Sequence, residues 1–313
     1  MRYLGKVEIV GFDSHIWIVK SLIGVLAIAA MVVFASVISP LSATGSDPVI
    51  AAVGDIACPV GAAVTSTACH QQAVGNLIRS KSVTNLLVLG DIQYNLGQLV
   101  LGSPYDKAFG TLNLITKPVP GNHEYGTTNA QPYSDYFNDP APYWYSYDVG
   151  MWHMIAIDSN CSKPAVGTCS ATSNEGKFLL ADLAADSSAC TIAYWHHPRY
   201  NSGEHGGATN MTWIWKTLYN NNVDIVLNGH EHSYQRFAPL NASGVRSAGG
   251  MTEFVVGTGG KSHYAGGSTS SLSEYRNTTD FGALFLTLHA TSADYQFITE
   301  NNVIKDSGTI NCR

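Results

Sequence analysis

Beyond residue 44, the chain alternates short apolar runs with polar loops. The first four segments are VIAAVG (49–54), CHQQAVGNLIRS (69–80), TNLLVLG (84–90) and YDKAFGTLN (105–113). The first and third are strand candidates, and the other two are helix candidates. The order strand, helix, strand, helix predicts a layered α/β domain.

Strands also dominate the rest of the chain. We predict them at YWYSYDVG (143–150), WHMIAID (152–158), TIAYW (191–195), VDIVL (223–227), TEFVVG (252–257), ALFLTLH (283–289) and DYQFIT (294–299). Helices are predicted over residues 174–185 and 209–221. Because the last strands follow one another without intervening helices, part of the sheet system is expected to be antiparallel.

An uncharged apolar segment from Leu22 to Ile38 precedes this region, behind a basic flank. That pattern predicts a signal peptide within residues 1–43. The segment approaches the roughly 20 residues of a membrane span, so an uncleaved anchor through residues 21–40 is the alternative. Either reading predicts a secreted or extracytoplasmic protein. We expect residues 44–313 to form one catalytic domain.

Cysteine usage agrees with export. The six cysteines, all beyond the apolar segment, are Cys58, Cys69, Cys161, Cys169, Cys190 and Cys312. An even number fits oxidised pairs in an exported protein. Pairing of neighbours along the chain predicts the bridges Cys58–Cys69, Cys161–Cys169 and Cys190–Cys312.

The charge balance excludes some partners. The formal net charge is -6, and the sequence has no Lys/Arg run, so no nucleic acid-binding patch is expected. An anionic substrate must therefore be attracted locally. The remaining charged and polar residues of interest occur directly after the predicted strands.

Five polar clusters occupy such positions. They contain Asp55; Asp91 and Tyr94; Asn122 and His123; His196, His197 and His205; and His230 and His232. Because the carboxyl ends of strands in open α/β sheets form the ligand crevice, we expect these clusters to meet.

The stretch NGHEHSYQR places His230 and His232 two residues apart. Residues at that spacing in an extended chain share a face, so their imidazoles can converge while Glu231 points away. Gly229 would allow another group to approach the backbone closely. The nitrogen and oxygen donors of the five clusters suit two metal ions that share one carboxylate, and each imidazole of the pair can bind a different ion.

In this order the motifs GD, GDxxY, GNHE, HxP and GHxH resemble the calcineurin-like metallophosphoesterases and, within them, single-domain purple acid phosphatases. The resemblance extends from Asp55 to VVGTGGKSHY (255–264). It implies a four-layer αββα sandwich of two mixed β-sheets flanked by helices. Plant-type relatives carry an extra N-terminal β domain, for which we expect no room before the first core strand. The oligomeric state therefore stays open.

The resemblance also implies the ligands. Asp55, Asp91, Tyr94 and His232 would bind a first ion, which is Fe(III) in this family, and Asp91 would bridge to a second ion, Zn, Mn or Fe(II), held with Asn122, His196 and His230. Tyr94 replaces the histidine of the more common D-x-H motif. A tyrosine has an ordinary pKa near 10, so its binding as phenolate calls for a strongly Lewis-acidic ion.

The implied reaction is hydrolysis of a small phosphomonoester by a metal-bound hydroxide. His123 and His205 are the candidate catalytic residues, and His123, His197 and His205 are the candidate substrate-binding residues. We expect His205 to act as the general acid, with His197 and Glu204 as competitors.

Two other functions are compatible with these residues. The same site could act on phosphodiesters, nucleotides or phospholipids, because metal ligands do not specify what the phosphate carries. A non-catalytic metal or phosphate-binding protein is the second alternative.

Other motifs are incomplete. GKS lacks the first glycine of a P-loop because Val255 occupies that position, and HEHSY has Tyr234 in place of the second histidine of HExxH. His70, His153, His263 and His289 are expected to be surface or core histidines outside the metal site.

Overall fold

Thirteen strands and five α-helices lie in the part of the chain that the computed structural model describes, residues 46–139, 141–264 and 266–313. The strands are β1 Val49–Val53, β2 Asn85–Val88, β3 Thr116–Pro118, β4 Tyr145–Val149, β5 Trp152–Ala156, β6 Cys190–Trp195, β7 Ile225–Asn228, β8 Tyr234–Phe237, β9 Thr252–Val256, β10 Ser273–Asn277, β11 Gly282–Leu288, β12 Ser292–Thr299 and β13 Ile304–Asn311. The helices are α1 Gln71–Arg79, α2 Pro104–Phe109, α3 Gln131–Phe137, α4 Asn174–Ala185 and α5 Thr212–Asn220. The predicted signal peptide or anchor, residues 1–43, lies outside the described residues.

The strands form two mixed sheets. In sheet 1 the order is β13-β12-β11-β1-β2-β3, and in sheet 2 it is β10-β8-β9-β7-β6-β5-β4. Strands β1, β2 and β3 are parallel, as are β5, β6, β7 and β9, whereas β11, β12 and β13 are antiparallel. The expected antiparallel region late in the chain is therefore confirmed.

Alternation along the strands explains how the layers pack. Ile50 and Ala52 of β1 face the core between the two sheets, where they join Leu227 and Phe254 of sheet 2. Their neighbours along β1 face the other way, toward α1 and α2. The outer side of sheet 2 packs against α4 and α5 through a third apolar cluster that includes Trp215. The predicted four-layer αββα sandwich is thus confirmed.

The hydrophobic pattern did not predict several of the observed strands and helices. Strands β10 and β13 lie at sheet edges, and most of their residues are polar and exposed or only half buried. Strands β3 and β8 are only 3 and 4 residues long, and α3 was not predicted either. The predicted helices over 174–185 and 209–221 correspond to α4 and to a short 3₁₀ turn followed by α5.

All three predicted disulfides are present. The Cα–Cα distances are 5.3 Å for Cys58–Cys69, 5.2 Å for Cys161–Cys169 and 5.3 Å for Cys190–Cys312. The last bridge joins the start of β6 to the residue that follows β13. Within the described ranges, no helix is long and apolar enough to cross a membrane.

Candidate metal centre

Each predicted donor cluster follows a strand or short turn at one end of the sheets. Asp55 and Asp91 follow β1 and β2 of sheet 1, and His196 and His230 follow β6 and β7 of sheet 2. These strand ends are the expected position of a ligand crevice. The fold therefore brings donors from both sheets to one place.

Three of these donors have an unusual backbone conformation. Asp55, Asp91 and His230 have φ values of 58°, 49° and 70°, in the left-handed region that residues other than glycine rarely adopt. Such conformations cluster at functional sites. A Cβ at Gly229 would lie 2.9 Å from Asp55 Oδ2, which confirms the expected close approach to this glycine.

A first group of donors converges on the phenol of Tyr94. The Tyr94 hydroxyl lies 3.0 Å from Asp55 Oδ1, 3.1 Å from Asp91 Oδ2 and 2.9 Å from His232 Nε2. His232 Nε2 is also 3.3 Å from Asp55 Oδ1. The four side chains predicted for the first ion are thus gathered around one point.

A second group shares Asp91 with the first. Asp91 Oδ2 lies 3.3 Å from His196 Nε2, which is 3.1 Å from Asn122 Oδ1. The ring centroid of His230 is 5.0 Å from that of His196. One oxygen of Asp91 therefore lies between the two groups of donors.

Backbone contacts hold the donors in these orientations. Asp55 Oδ2 accepts a hydrogen bond from the His230 N–H at 2.7 Å, and Asp91 Oδ1 accepts one from the His123 N–H at 2.9 Å. His196 Nδ1 donates to Leu89 O at 2.8 Å. In each case the second oxygen or nitrogen of the side chain is left to face the centre, where it could bind a metal ion.

The HxH pair converges by a route that the pattern did not predict. His230 is in the left-handed conformation, and Glu231 N–H donates to Gly229 O at 2.9 Å, so this segment is a tight turn rather than an extended strand. The turn still directs His232 to the first group and His230 to the second. The expected convergence is found, with a different local geometry.

Burial and neighbouring charges shift the pKa values of the donors in the centre. Burial opposes ionisation of Asp91, but the adjacent His196 holds the pKa of Asp91 below its usual range. Burial also lowers the pKa of His196, yet the charge of Asp91 outweighs this effect and raises that pKa to about 9. Burial, together with the charges of Asp55 and Asp91, raises the pKa of Tyr94 well above its ordinary value.

This donor set fits a pair of cations. Two buried carboxylates, Asp55 and Asp91, and three imidazoles meet in a small volume, and cations would offset the carboxylate repulsion. Because its surroundings oppose ionisation, Tyr94 can become a phenolate only beside a strongly Lewis-acidic ion.

The predicted catalytic histidines lie at the edge of the centre. His123 Nδ1 contacts Asn95 O, its Nε2 is 3.8 Å from Asp91 Oδ2, and its ring is 4.3 Å from that of Tyr94. The ring of His205 lies 4.5 Å from that of His230. The two histidines therefore border different donor groups.

His197 is more enclosed. Burial and then the charge of His196 lower the pKa of His197 to about 3. Its Nδ1 lies 2.8 Å from Ser159 Oγ, and its ring is 4.6 Å from that of His230. Glu204 Oε1 accepts the Gly266 N–H at 2.9 Å and thereby joins the loops that contain these two residues.

Three further residues were not predicted as site residues. Glu124 is buried and accepts backbone N–H groups of Asp91, Ile92 and Gly121 at 2.9, 2.9 and 2.7 Å. Tyr264 stacks on His232 at 4.1 Å. Glu231 was expected to turn away from the point where the imidazoles converge, and its carboxylate contacts His205. The acids in GNHE and GHEH were the available signal.

The calcineurin-like phosphoesterase family model matches residues 48–234, a range that contains all the candidate metal donors. The chain belongs to the calcineurin-like phosphoesterase family. The resemblance to this family and to its purple acid phosphatases, first drawn from the motifs, is thereby confirmed.

Curated relatives include acid phosphatases. Acid phosphatase A of Cryphonectria parasitica (strain ATCC 38755 / EP155) is 33% identical over 128 residues, 34% of this chain and 25% of the relative. Purple acid phosphatase 18 of Arabidopsis thaliana is 30% identical over 123 residues, 37% of this chain and 26% of the relative. "Probable inactive purple acid phosphatase 9" of the same plant is 26% identical over 223 residues, 55% of this chain and 33% of the relative. The chain thus matches a quarter to a third of the length of these proteins.

Solved structures share the fold. Purple acid phosphatase PPD1 from yellow lupin (Lupinus luteus) seeds superposes with a TM-score of 0.69 at 18% identity, over 85% of this chain and 54% of that chain. GAP50, the anchor in the inner membrane complex of Plasmodium, has a TM-score of 0.63 at 16% identity, over 86% of this chain and 90% of that chain. At these identities the likeness concerns the fold alone.

Proposed function

We propose that this chain is a metal-dependent phosphatase that hydrolyses small phosphomonoesters at a dinuclear centre. The observation that carries the proposal is the position of Asp91 Oδ2, which is 3.1 Å from the Tyr94 hydroxyl and 3.3 Å from His196 Nε2. One carboxylate oxygen between two donor groups is what a shared ligand requires.

The proposed ligands follow from these two groups. Asp55, Asp91, Tyr94 and His232 would hold Fe(III), and Asp91, Asn122, His196 and His230 would hold Zn, Mn or Fe(II). When bound, such a pair lowers the pKa of a water molecule and offsets the charge of the phosphate.

The surrounding histidines would act on the substrate. His123, with Nδ1 engaged by Asn95 O, presents Nε2 to the phosphate oxygens. His197, with Nδ1 engaged by Ser159, would also contact the phosphate through Nε2. His205 would transfer a proton from Nε2 to the alcohol oxygen as the P–O bond breaks. Glu204 is a weaker candidate because its carboxylate is occupied by Gly266.

Metal analysis combined with a substrate panel tests this function. We expect two ions per chain and turnover of para-nitrophenyl phosphate, with simple aryl phosphomonoesters preferred over bis(para-nitrophenyl) phosphate and over nucleotides. A preference for diesters would favour a phosphodiesterase. Two bound ions without hydrolysis across roughly pH 4 to 9, the range around histidine titration, would favour a binding protein.

The assignment of Tyr94 has its own test. We expect the iron-loaded protein to show a visible phenolate-to-iron absorption band that Tyr94→Phe abolishes. Tyr264→Phe is the matched control because Tyr264 also contacts His232 but is not a proposed ligand, and it should retain the band. A colourless iron-loaded protein would contradict the role of Tyr94.

We also propose that the protein is secreted or extracytoplasmic. Its three disulfides support this location because such bridges persist in oxidising compartments. A membrane tether through residues 21–40 remains the alternative to a cleaved signal peptide. Fractionation of cells that express the full chain, followed by mass determination of the product, distinguishes the two.

A further inference from the structure

Glu231 is a fully buried carboxylate that points into the loop carrying His205. Glu231 Oε2 lies 3.1 Å from His205 Nδ1 and accepts the His205 N–H at 3.2 Å. The same oxygen accepts from Asn201 Nδ2 at 2.8 Å, and Oε1 accepts the Glu204 N–H at 3.0 Å. Residues 201–205 are therefore wrapped around one carboxylate.

Gly203 makes this close approach possible. A Cβ at that position would lie only 1.8 Å from Glu231 Cδ, well inside the contact distance of two carbon atoms. Any side chain at residue 203 would push the loop off the carboxylate. The glycine and the buried acid thus form one arrangement that determines where residues 204 and 205 lie.

The contact also determines how the imidazole is presented. A Nδ1–H that donates to Glu231 fixes both the tautomer and the rotation of the ring, and it leaves Nε2 as the atom available to a substrate. The ring lies 4.5 Å from His230 and 5.1 Å from Tyr264, beside the second donor group. Without the acid, a side chain that is 39% exposed would be free to rotate.

We propose that Glu231 is a positioning residue that aims His205 Nε2 at the leaving group of the phosphoester. The inference rests on the proposed function, and it deepens it by naming the group that orients the general acid. The acid lies between the proposed ligands His230 and His232, so the turn that would hold the metals would also orient the proton donor.

Glu253 offers a matched control. It is likewise a fully buried carboxylate, and it accepts the backbone N–H groups of Arg199 and Tyr200 at 2.8 and 3.0 Å. These residues belong to the same connection as His205, but Glu253 has no hydrogen bond to the imidazole among the described contacts. Replacing Glu253 therefore shows what loss of a buried acid beneath this connection does to activity when the hydrogen bond to His205 is kept.

The kinetic test compares metal-loaded wild type with Glu231→Gln, His205→Ala, the double variant and Glu253→Gln. The substrates are aryl phosphates from 2,4-dinitrophenyl to phenyl phosphate. A general acid matters most for poor leaving groups, so we expect Glu231→Gln to lower kcat for phenyl phosphate about 100-fold and for the dinitrophenyl ester less than about 10-fold. The double variant should lose no more than His205→Ala, and Glu253→Gln should show no dependence on the leaving group.

Equal losses on all esters, or losses that add to those of His205→Ala, would overturn the inference. If Glu231→Gln does not fold, Gly203→Ala replaces it, because that change displaces the loop and retains the carboxylate. Inactivity of the wild type on every ester would instead refute the proposed function.

Nuclear magnetic resonance provides a readout that does not depend on turnover. In the zinc-loaded chain, the ¹⁵N shifts of His205 should show a protonated, hydrogen-bonded Nδ1 that changes in Glu231→Gln and not in Glu253→Gln. Unchanged His205 shifts in Glu231→Gln would overturn the inference even if no substrate were known.

Discussion

The floor and the rim of the site are built differently. We define the floor as the seven proposed metal ligands, Asp55, Asp91, Tyr94, Asn122, His196, His230 and His232, and the rim as His123 and His205. Five of the floor residues are at most 5% exposed, whereas the rim side chains are 31% and 39% exposed. Strand ends and backbone hydrogen bonds hold the floor, whereas each rim imidazole makes its described hydrogen bond through Nδ1.

This difference separates two tasks. The floor must retain charged donors at short distances, which requires burial and several contacts for each side chain. The rim must admit a substrate and release a product, so its groups stay accessible. Changes to the floor are therefore expected to alter metal content, and changes to the rim only catalysis.

The largest effect is expected at the shared floor residue. Asp91→Asn removes the negative charge between the two donor groups, so we expect loss of both ions. Activity should fall more than about 100-fold, which exceeds the loss expected when a residue that only supports a metal ligand is changed. Elemental analysis and turnover of para-nitrophenyl phosphate measure this. Asp135→Asn is the control, because Gln131 is the hydrogen-bond partner of the Asp135 carboxylate among the described residues. Retention of two ions in Asp91→Asn would contradict a bridging role.

The support beneath the floor should come next. In the wild type, three backbone N–H groups donate to the Glu124 carboxylate. Glu124→Gln replaces one of the accepting oxygens by an NH₂ group that cannot accept them, so we expect a roughly 10- to 100-fold lower metal affinity. Competition with a chelator measures that affinity. Glu175→Gln, which alters a buried acid bonded to the Asp158 N–H, should leave it near the wild-type value. Equal losses of metal affinity in both variants would mean that Glu124 contributes to the stability of the fold and has no specific role beneath the metal ligands.

A rim change should leave the metals in place. Under the proposed function, His123→Ala removes one hydrogen bond to a charged phosphate, worth about 1.5–3 kcal/mol, so kcat/KM should fall about 10- to 100-fold. Metal content should stay at two ions per chain. His289→Ala, which changes a half-buried histidine bonded to Asp47 and Asp294, is the control. Loss of metal from His123→Ala would break the distinction between floor and rim.

The smallest effect concerns stability away from both regions. His153 lies between Asp182 and Asp148, and the bond to Asp182, opposed by burial and aided by Asp148, raises the pKa of His153 to about 9. A raised folded-state pKa means that this contribution is complete below about pH 6.5 and is lost as pH rises through about 9.

The melting temperature of wild type should therefore exceed that of His153→Gln at pH 6, and the gap should narrow toward pH 9. Thermal unfolding followed by circular dichroism checks this. A constant gap would contradict the assignment. The same measurement shows how much of any pH dependence of activity comes from stability and how much is left for His123 and His205.

Local patterns predicted the central strands because buried strands are apolar over their whole length, as in β6 and β7. The edge strands β10 and β13 were missed because their residues are mostly polar and exposed or half buried. Their pairing depends on a neighbouring strand, which a local window of sequence does not contain.

The sequence by itself determined the donor chemistry, the short-range bridges Cys58–Cys69 and Cys161–Cys169 and the strand ends at which the donors appear, because these depend on residue type and short spacing. Only the tertiary structure decided that Asp91 Oδ2 lies between both donor groups and that Glu231 contacts His205, which is 26 residues away along the chain. Such contacts arise when the two sheets pack and bring distant loops together. The direction of a side chain in a turn then depends on what packs against it, as for the buried acid between the two histidines.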